Sequence, residues 1–167
     1  MEYLLVSACL LGQAVRYNGG DKRVDHELLA RWLAEGRVLP FCPEVAGGLP
    51  VPRLPAEIQG PGGGLAVLEG RRRVRDKAGV DVTAAFVEGA SQALALAREN
   101  GVRVAVMKEG SPSCGSSYSY DGSFSGSRLA VPGVATALLR QAGVQVFSES
   151  ELAEADALLR RIEAGQI

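Results

Sequence analysis

Residues 81–107 have the sequence DVTAAFVEGASQALALARENGVRVAVM. The apolar residues of its first part follow the spacing of an amphipathic helix, which Asp81 or Thr83 can cap and Gly101 can end. The run from Val102 to Met107 that follows is the strongest strand prediction in the chain. A helix followed directly by a strand is the repeating unit of α/β folds, so this stretch sets the expectation for the whole chain.

The same alternation recurs on both sides of this segment. Further strands are predicted at Tyr3–Val6, Val38–Phe41 and Val144–Phe147, and further helices at Asp25–Ala34, Gly133–Ala142 and from Ser148 to about Ile162. This order predicts a mainly parallel sheet with right-handed crossovers and flanking helices, which is a Rossmann-like, doubly wound α/β fold.

Two stretches break the alternation. We predict a hairpin formed by Leu65–Leu68 and Arg71–Val74, which Glu69-Gly70 separates. The Pro/Gly-rich stretch from Pro43 to Gly64 is predicted to lack regular structure. Such a long irregular segment inside a compact domain is usually functional or disordered. A second loop, rich in Ser, Gly and Tyr, is predicted between the later elements, from Lys108 to Pro132.

The bulk composition narrows the functional class. The chain has 167 residues, 47% of them hydrophobic, and a formal net charge of −1. This length predicts a single domain, residues 1–167, with a full hydrophobic core. The near-zero charge argues against a DNA-binding surface, and the lack of a long apolar run or signal peptide argues against a membrane role. We therefore expect a cytoplasmic protein.

The three cysteines of the chain each follow a predicted strand and lie among turn residues. If the strands are parallel, Cys9, Cys42 and Cys114 meet at one edge of the sheet, where open α/β sheets bind ligands. Three thiolates indicate a metal site with one position not ligated by protein, which is typical of catalytic sites. No two cysteines have the close spacing of zinc fingers, so the pattern favours an iron–sulfur cluster. The alternative for each cysteine is a small buried hydrophobe.

Other residues of these loops carry potential chemistry. Glu44, two residues beyond Cys42, is a candidate general acid or base, or else a solvated loop acid. Arg16 and Arg53 are candidates to bind an anionic substrate, because guanidinium forms paired hydrogen bonds with phosphate or carboxylate. The loop Gly110–Ser117 resembles an anion-binding nest, although it could equally be an ordinary polar loop.

Each of two further segments has both a functional and a structural interpretation. The aromatic residues within 118–126 could stack on a planar base or could simply fix the loop. The basic run from Arg71 to Lys77 is more typical of a solvated surface than of a phosphate or RNA contact.

Six motifs together resemble the thiouracil desulfidase family, once catalogued as a domain of unknown function. They are VSACLLG (6–12), VRYNGG (15–20), CPE (42–44), GGLPVPRLPAEI (47–58), SPSCG (111–115) and DGSFSG (121–126). The resemblance extends from Leu4 to about Glu149. The motifs are long and occur in order, so the similarity is specific.

The resemblance implies a 4Fe-4S cluster held by Cys9, Cys42 and Cys114, with one iron not ligated by protein. It implies that water replaces the sulfur of a thiolated pyrimidine, releasing hydrosulfide without any redox change. Its catalytic acid corresponds to Glu44, and its catalytic serine to Ser111, with Ser113 the second choice.

The substrate follows from the same resemblance. We expect contacts from Arg16, Tyr17, Arg53, Ser113 and Ser116. Some relatives carry a second C-terminal domain and act on thiolated RNA, whereas this sequence ends shortly after the family core. We therefore expect a small thiolated base or nucleotide rather than RNA, although the basic run from Arg71 to Arg75 leaves RNA open. We also consider a homodimer, since small domains with one pocket often pair. Two rival functions are a mononuclear zinc hydrolase that uses the three cysteines, and a non-enzymatic cluster-bearing sensor or nucleotide-binding module.

Overall fold

The fold alternates strands and helices along the chain, in a computed structural model that describes every residue from Met1 to Ile167. In chain order the elements are β1 (Leu4–Ser7), α1 (Glu27–Ala34), β2 (Val38–Phe41), α2 (Pro43–Ala46), β3 (Ala56–Ile58), α3 (Gly63–Leu68), β4 (Val74–Asp76), α4 (Thr83–Glu99), β5 (Val104–Met107), β6 (Ser119–Tyr120), β7 (Arg128–Leu129), α5 (Val134–Gln141), β8 (Gln145–Ser148) and α6 (Leu152–Glu163). A short 3-10 turn, Ala8–Leu11, follows β1 directly.

The main sheet has four strands in the order β2-β1-β5-β8, and all neighbouring pairs are parallel. In the register of β1, Ser7 lies opposite Phe41 and Val6 lies opposite Val106. The chain winds outward from β1 to β2 and then returns to β5 on the other side of β1. This reversal is the hallmark of a doubly wound sheet, so the predicted fold class is confirmed.

The core lies in two layers, one on each face of the sheet. Leu5 points into the layer covered by α4 and α5. Leu4 and Val6 point into the opposite layer, where Trp32 of α1 and Leu159 of α6 complete the packing. Alternate residues of β1 are thus buried on both faces, as expected for a central parallel strand. None of the helices combines the length and the hydropathy needed to cross a membrane.

The predicted hairpin is wrong. Leu65–Leu68 belongs to helix α3, and β4 pairs antiparallel with β3, with Val74 opposite Ile58. A short continuous apolar run fits a buried helix as well as a strand, and tertiary packing selects the helix here. A Cβ on Gly64 would lie 2.2 Å from the carbonyl oxygen of Gly133, so the bare backbone of α3 packs directly on the start of α5.

The stretch 43–64 also contains regular structure, contrary to the prediction, because α2 and β3 both lie within it. One helix start differs as well. Helix α1 is capped by His26, whose Nδ1 accepts the N–H of Leu28 at 3.0 Å, and not by Asp25. At α4 the predicted Asp81 does accept the N–H of Thr83, at 2.9 Å.

Helix α2 begins directly after Cys42 and packs on α4 through glycine. A Cβ on Gly89 would lie only 1.9 Å from the carbonyl oxygen of Pro43. This contact fixes the backbone that carries Cys42 and Glu44. The glycine is therefore required by the close approach of two helices, although glycine disfavours the interior of a helix.

We expect Gly89→Ala to destabilise the protein by at least about 2 kcal/mol, because the overpacking outweighs the gain in helix propensity. Chemical denaturation followed by circular dichroism measures this change. Ser91→Ala, at an exposed position of the same helix, is the control and should be neutral or slightly stabilising. Equal stability of the Gly89→Ala variant and the wild type would contradict the close packing of α2 on α4.

Candidate functional site

The carboxyl ends of β1, β2 and β5 open into one cavity of about 530 Å³. Cys9 follows β1, Cys42 follows β2, and Cys114 lies in the loop after β5. All three cysteines line the cavity. The predicted convergence of thiols that are far apart in sequence is therefore present in the fold.

Two of the thiols in this cavity, those of Cys9 and Cys114, are buried, and that of Cys42 is half-buried. Burial, followed by the nearby Cys42, raises the pKa of Cys9 to about 11. Burial also raises the pKa of Cys114 to about 12, against hydrogen bonds from Ser7 and Ser113. The pKa of the half-buried Cys42 is raised for the same reason. The free thiols are thus protonated at neutral pH, and metal binding there would release protons.

The arrangement of the thiols distinguishes between kinds of metal site. No three or more His, Cys, Asp or Glu side chains converge closely enough to hold one metal ion. Yet Cys9, Cys42 and Cys114 share one cavity and act on one another electrostatically. Three thiols from three separate segments of the chain match the ligation of iron–sulfur clusters, in which each thiolate binds one iron.

Glu44 is anchored by Arg53 on one wall of the cavity. Its Oε1 accepts a hydrogen bond from Nε of Arg53 at 3.1 Å and also lies 3.1 Å from Nη2. Arg53 donates further bonds to the carbonyl oxygens of Val15 and Pro50, both at 3.1 Å. The predicted substrate-binding Arg53 does reach the cavity, but its guanidinium is occupied with Glu44 and two loops.

Two serines connect this carboxylate with the third cysteine. The Oγ of Ser113 donates to Oε2 of Glu44 at 2.8 Å and lies 3.5 Å from Sγ of Cys114. The Oγ of Ser111 lies 2.9 Å from that of Ser113 and 3.4 Å from Glu44. It also accepts the backbone N–H groups of Ser113 and Cys114, both at 3.1 Å. The predicted residues Glu44, Ser111 and Ser113 thus form one hydrogen-bonded chain.

Glu109, which the sequence reasoning missed, fills the predicted anion nest. Its carboxylate accepts the N–H groups of Ser116, Ser117 and Tyr118 at 2.8, 2.9 and 3.3 Å. The hydroxyls of Ser116 and Ser117 also donate to it, at 2.8 and 2.6 Å. Ser116, predicted to contact substrate, is buried and lies outside the cavity lining. The nest therefore binds an anion of the chain itself.

Three unpaired cations lie along the cavity. Arg16, Lys22 and Lys77 line it, and none of them takes part in an ion pair. The guanidinium of Arg16 lies 5.4 Å from the ring centroid of the partly exposed Tyr17. The sequence reasoning identified Arg16 and Tyr17, and it named Lys77 within the basic run with a phosphate contact as the alternative. It missed Lys22.

Aromatic side chains form another part of the lining. Tyr118, Tyr120 and Phe124 all lie there, on or beside β6. The rings of Tyr118 and Tyr120 pack edge to face at 6.1 Å, and the guanidinium of Arg128 lies 4.1 Å from the centroid of Tyr118. A planar ligand entering the cavity would meet this aromatic side.

The basic run of residues 71–77 contributes only Lys77 to the cavity. Arg71 pairs with Glu69 and Arg73 pairs with Asp81, both at 2.7 Å. Arg71 and Arg73 are therefore exposed, ion-paired side chains, as expected for a solvated surface.

Comparison with known proteins agrees with these features. A family model described as 2-thiouracil desulfurase matches residues 4–151. The uncharacterized protein YbbK of Bacillus subtilis (strain 168) is 44% identical over 149 residues, which are 89% of this chain and 97% of that protein. A solved structure described as the 4Fe-4S-dependent thiouracil desulfidase TudS is 51% identical, with a TM-score of 0.88. The match covers 96% of this chain and 99% of that one.

The Glu109 carboxylate predicts how stability depends on pH. Burial raises its pKa, but hydrogen bonds from Ser117, Ser116 and Tyr118 outweigh this and lower the pKa from 4.5 to about 2. A carboxyl whose pKa is lower in the folded state stabilises the fold above its unfolded pKa, and this contribution is lost as the pH falls. The stabilisation is therefore complete above about pH 5 and disappears towards pH 2.

We expect Glu109→Gln to lower the free energy of unfolding by about 1–2 kcal/mol at pH 6, a figure discounted for partial solvent screening. The difference from wild type should shrink steadily between pH 5 and pH 2.5. Urea denaturation at each pH measures it. Glu99→Gln, at an exposed position near the end of α4, is the control and should show no such trend. A difference in the free energy of unfolding that does not change with pH would contradict a stabilising role of the ionised Glu109 carboxylate.

Proposed function

Since this chain belongs to the 2-thiouracil desulfurase family, we propose that it is an enzyme that desulfurates a thiolated pyrimidine without redox change. Water replaces the sulfur of the thiocarbonyl, a carbonyl forms, and hydrosulfide leaves. The observation that carries this proposal is the meeting of three cysteines and Glu44 in one cavity.

We assign Cys9, Cys42 and Cys114 as ligands of a 4Fe-4S cluster with one iron not ligated by protein. The donor set fits, because the three thiols share the cavity without converging on a single ion. The one histidine of the chain, His26, caps α1 and does not line the cavity. When bound, the cluster would supply a Lewis-acidic iron that accepts the sulfur of the substrate.

Glu44 is the proposed acid–base residue. Its Oε2 faces the serines, while Arg53 holds Oε1 in place. From this position it takes a proton from the attacking water and returns a proton to the ring as the carbon–sulfur bond breaks. The ion pair with Arg53 orients the carboxylate, so Arg53 acts through Glu44.

The hydroxyls of Ser111 and Ser113 extend the reach of Glu44 into the cavity. Ser111 is the proposed catalytic serine, which hydrogen-bonds the substrate or the attacking water. Ser113 lies between Ser111 and Glu44 in the hydrogen-bonded chain. The two hydroxyls therefore connect the carboxylate by hydrogen bonds with the part of the cavity where the substrate or the attacking water would lie.

We propose a nucleotide, of the 4-thiouridine monophosphate type, as the preferred substrate over a free base such as 2-thiouracil. The unpaired cations Arg16, Lys22 and Lys77 support this choice, since a free base offers no anionic group to them. Phosphate accepts charge-assisted hydrogen bonds from such side chains. Tyr17, beside Arg16, would contact the same part of the substrate.

Other assignments follow from this proposal. The paired arginines of the 71–77 run argue for a small substrate rather than RNA. An oxygen-sensitive cluster held by unpaired thiols suits the reducing cytoplasm. A homodimer stays a prediction that solution scattering can test.

The proposal is tested by anaerobic reconstitution with iron and sulfide, followed by an assay of hydrosulfide release from 2-thiouracil and 4-thiouridine 5′-monophosphate. Glu44→Gln should keep the visible absorbance of the cluster, because the amide preserves the shape of the site. Its turnover should fall about 10²–10⁴-fold, the usual contribution of a general acid or base.

Glu69→Gln, the same change on the exposed surface, is the matched control and should retain full activity. Unchanged turnover of Glu44→Gln would remove Glu44 from the mechanism. One equivalent of zinc with no acid-labile sulfide would favour the hydrolase alternative. Tight binding of nucleotide without turnover would favour the sensor alternative.

The nucleotide preference is tested with the double variant Lys22→Ala/Lys77→Ala. Loss of charge-assisted contacts should raise KM for 4-thiouridine 5′-monophosphate about tenfold. The rise in KM for 2-thiouracil should be several times smaller. Added salt should weaken the binding of the nucleotide but not that of 2-thiouracil. Arg71→Ala/Arg73→Ala is the control for a general change in charge. Equal effects on both substrates would contradict a phosphate site.

A further inference from the structure

The segment between β6 and β7 holds one residue in an unusual backbone conformation. Phe124, with φ of 56°, is the only residue other than glycine with a positive φ. A bulky L side chain rarely adopts this region, and such strain is found where the surrounding structure enforces it. Phe124 also lines the cavity. The residue with this unusual backbone conformation is therefore an aromatic residue of the cavity wall.

Glu57 of β3 enforces this conformation. Its Oε1 accepts the N–H of Gly122 at 3.0 Å and that of Phe124 at 3.1 Å. Gly122, with φ of 99°, allows the segment to approach β3 closely, since a Cβ there would lie 2.8 Å from the carbonyl oxygen of Ile58. One carboxylate oxygen thus ties the N–H of the strained residue and that of the glycine two residues before it to the ribbon of β3 and β4.

Hydroxyl groups fix the outer side of the segment. The Oγ of Ser123 bonds to Asp121 and lies 2.5 Å from that of Ser125, which donates to Ser127 at 3.1 Å. The conformation of Phe124 is therefore determined from both sides. Ordering of this kind before a ligand arrives lowers the entropy cost of binding.

Phe124 differs from the other aromatic residues of the lining. The ring of Tyr118 contacts Arg128 and Tyr120, and that of Tyr17 contacts Arg16. Phe41 packs against the hydrophobic core below the sheet edge. Phe124 takes part in no aromatic pair or cation–π contact, so the faces of its ring have no such partner.

We propose that Phe124 is a specificity-determining residue, against whose ring the pyrimidine stacks, and that Glu57 is its positioning residue. The inference rests on the proposed desulfidase function. Stacking holds a planar ring by its face and leaves its edges open. The thiocarbonyl edge is then free to face the thiols and Glu44, which the reaction requires.

The test compares variants of the reconstituted holoenzyme. Phe124→Ala and Phe124→Gly both lack the ring, so each should raise KM for 4-thiouridine 5′-monophosphate about tenfold. Phe124→Gly should also melt at a higher temperature than Phe124→Ala, because glycine accepts a positive φ. Phe124→Tyr keeps the ring and should stay within about twofold of wild type in KM. The dissociation constant of uridine 5′-monophosphate, from calorimetry, should follow the same order.

Glu57 is tested by rescue. Glu57→Ala releases both N–H groups and should weaken binding of uridine 5′-monophosphate about as much as Phe124→Ala does. Glu57→Gln keeps a carbonyl acceptor and should restore most of it. The double variant Glu57→Ala/Phe124→Ala should bind no more weakly than either single variant, since Glu57 acts through Phe124.

Equal nucleotide affinity of Phe124→Ala and wild type would overturn the stacking role. Affinities that follow melting temperature, with Phe124→Gly tighter than Phe124→Ala, would also overturn it, because the effect would then be structural. Additive losses in the double variant would overturn the positioning role of Glu57. If wild type releases no hydrosulfide from either thiopyrimidine, the proposed function fails, while calorimetry still decides the stacking.

Discussion

The parallel pairing of β1 with both β2 and β5 is the constraint on which the rest of the molecule depends. It brings the ends of three strands to one edge of the sheet, although their cysteines are far apart in the chain. Cys42 follows directly after Phe41, which lies opposite Ser7, and Cys9 comes two residues after Ser7. A one-residue slip would turn every side chain to the other face and separate these thiols. The complete burial of β1 on both faces makes such a slip costly.

The loops at this edge are held together by charged groups of the protein itself. Glu44 and Arg53 retain only 15% and 8% of their side-chain exposure, so both lose much of their hydration. Breaking such a pair is far more costly than the pair is stabilising, because one charge would remain buried alone. The additional bonds of Arg53 to Val15 and Pro50 link the loops of the first two cysteines. Glu109 stabilises the loop of the third cysteine, Cys114, by accepting hydrogen bonds from the N–H groups within that loop.

Sequence patterns predicted the elements whose signals are local, and missed features that depend on residues far apart in the chain. Strands β1 and β5 and helix α4 were predictable because their apolar patterns are local and long enough to be specific. The helix at Leu65–Leu68 was not, since its stability comes from packing of Gly64 against Gly133, nearly 70 residues away. The cysteines and Glu44 were found because motifs surround them. Glu109 and Lys22 lie outside these motifs and Lys77 lies in the basic run, and only the fold brings all three to the cavity.

For the nucleotide substrate proposed above, the distribution of charge along the cavity favours one orientation. Burial raises the pKa values of Cys9 and Cys114 and outweighs the opposing effect of Arg16 and Lys108 on Cys9, so the surroundings of these thiols disfavour an additional desolvated anion that is not bound to metal. Lys22 and Lys77 are exposed, so a phosphate near them keeps much of its hydration while gaining a partner. Entry with the phosphate first would place a desolvated dianion beside Glu44. If the proposed nucleotide is the substrate, these electrostatics favour entry with the sulfur first, before any contact with the base distinguishes one pyrimidine from another.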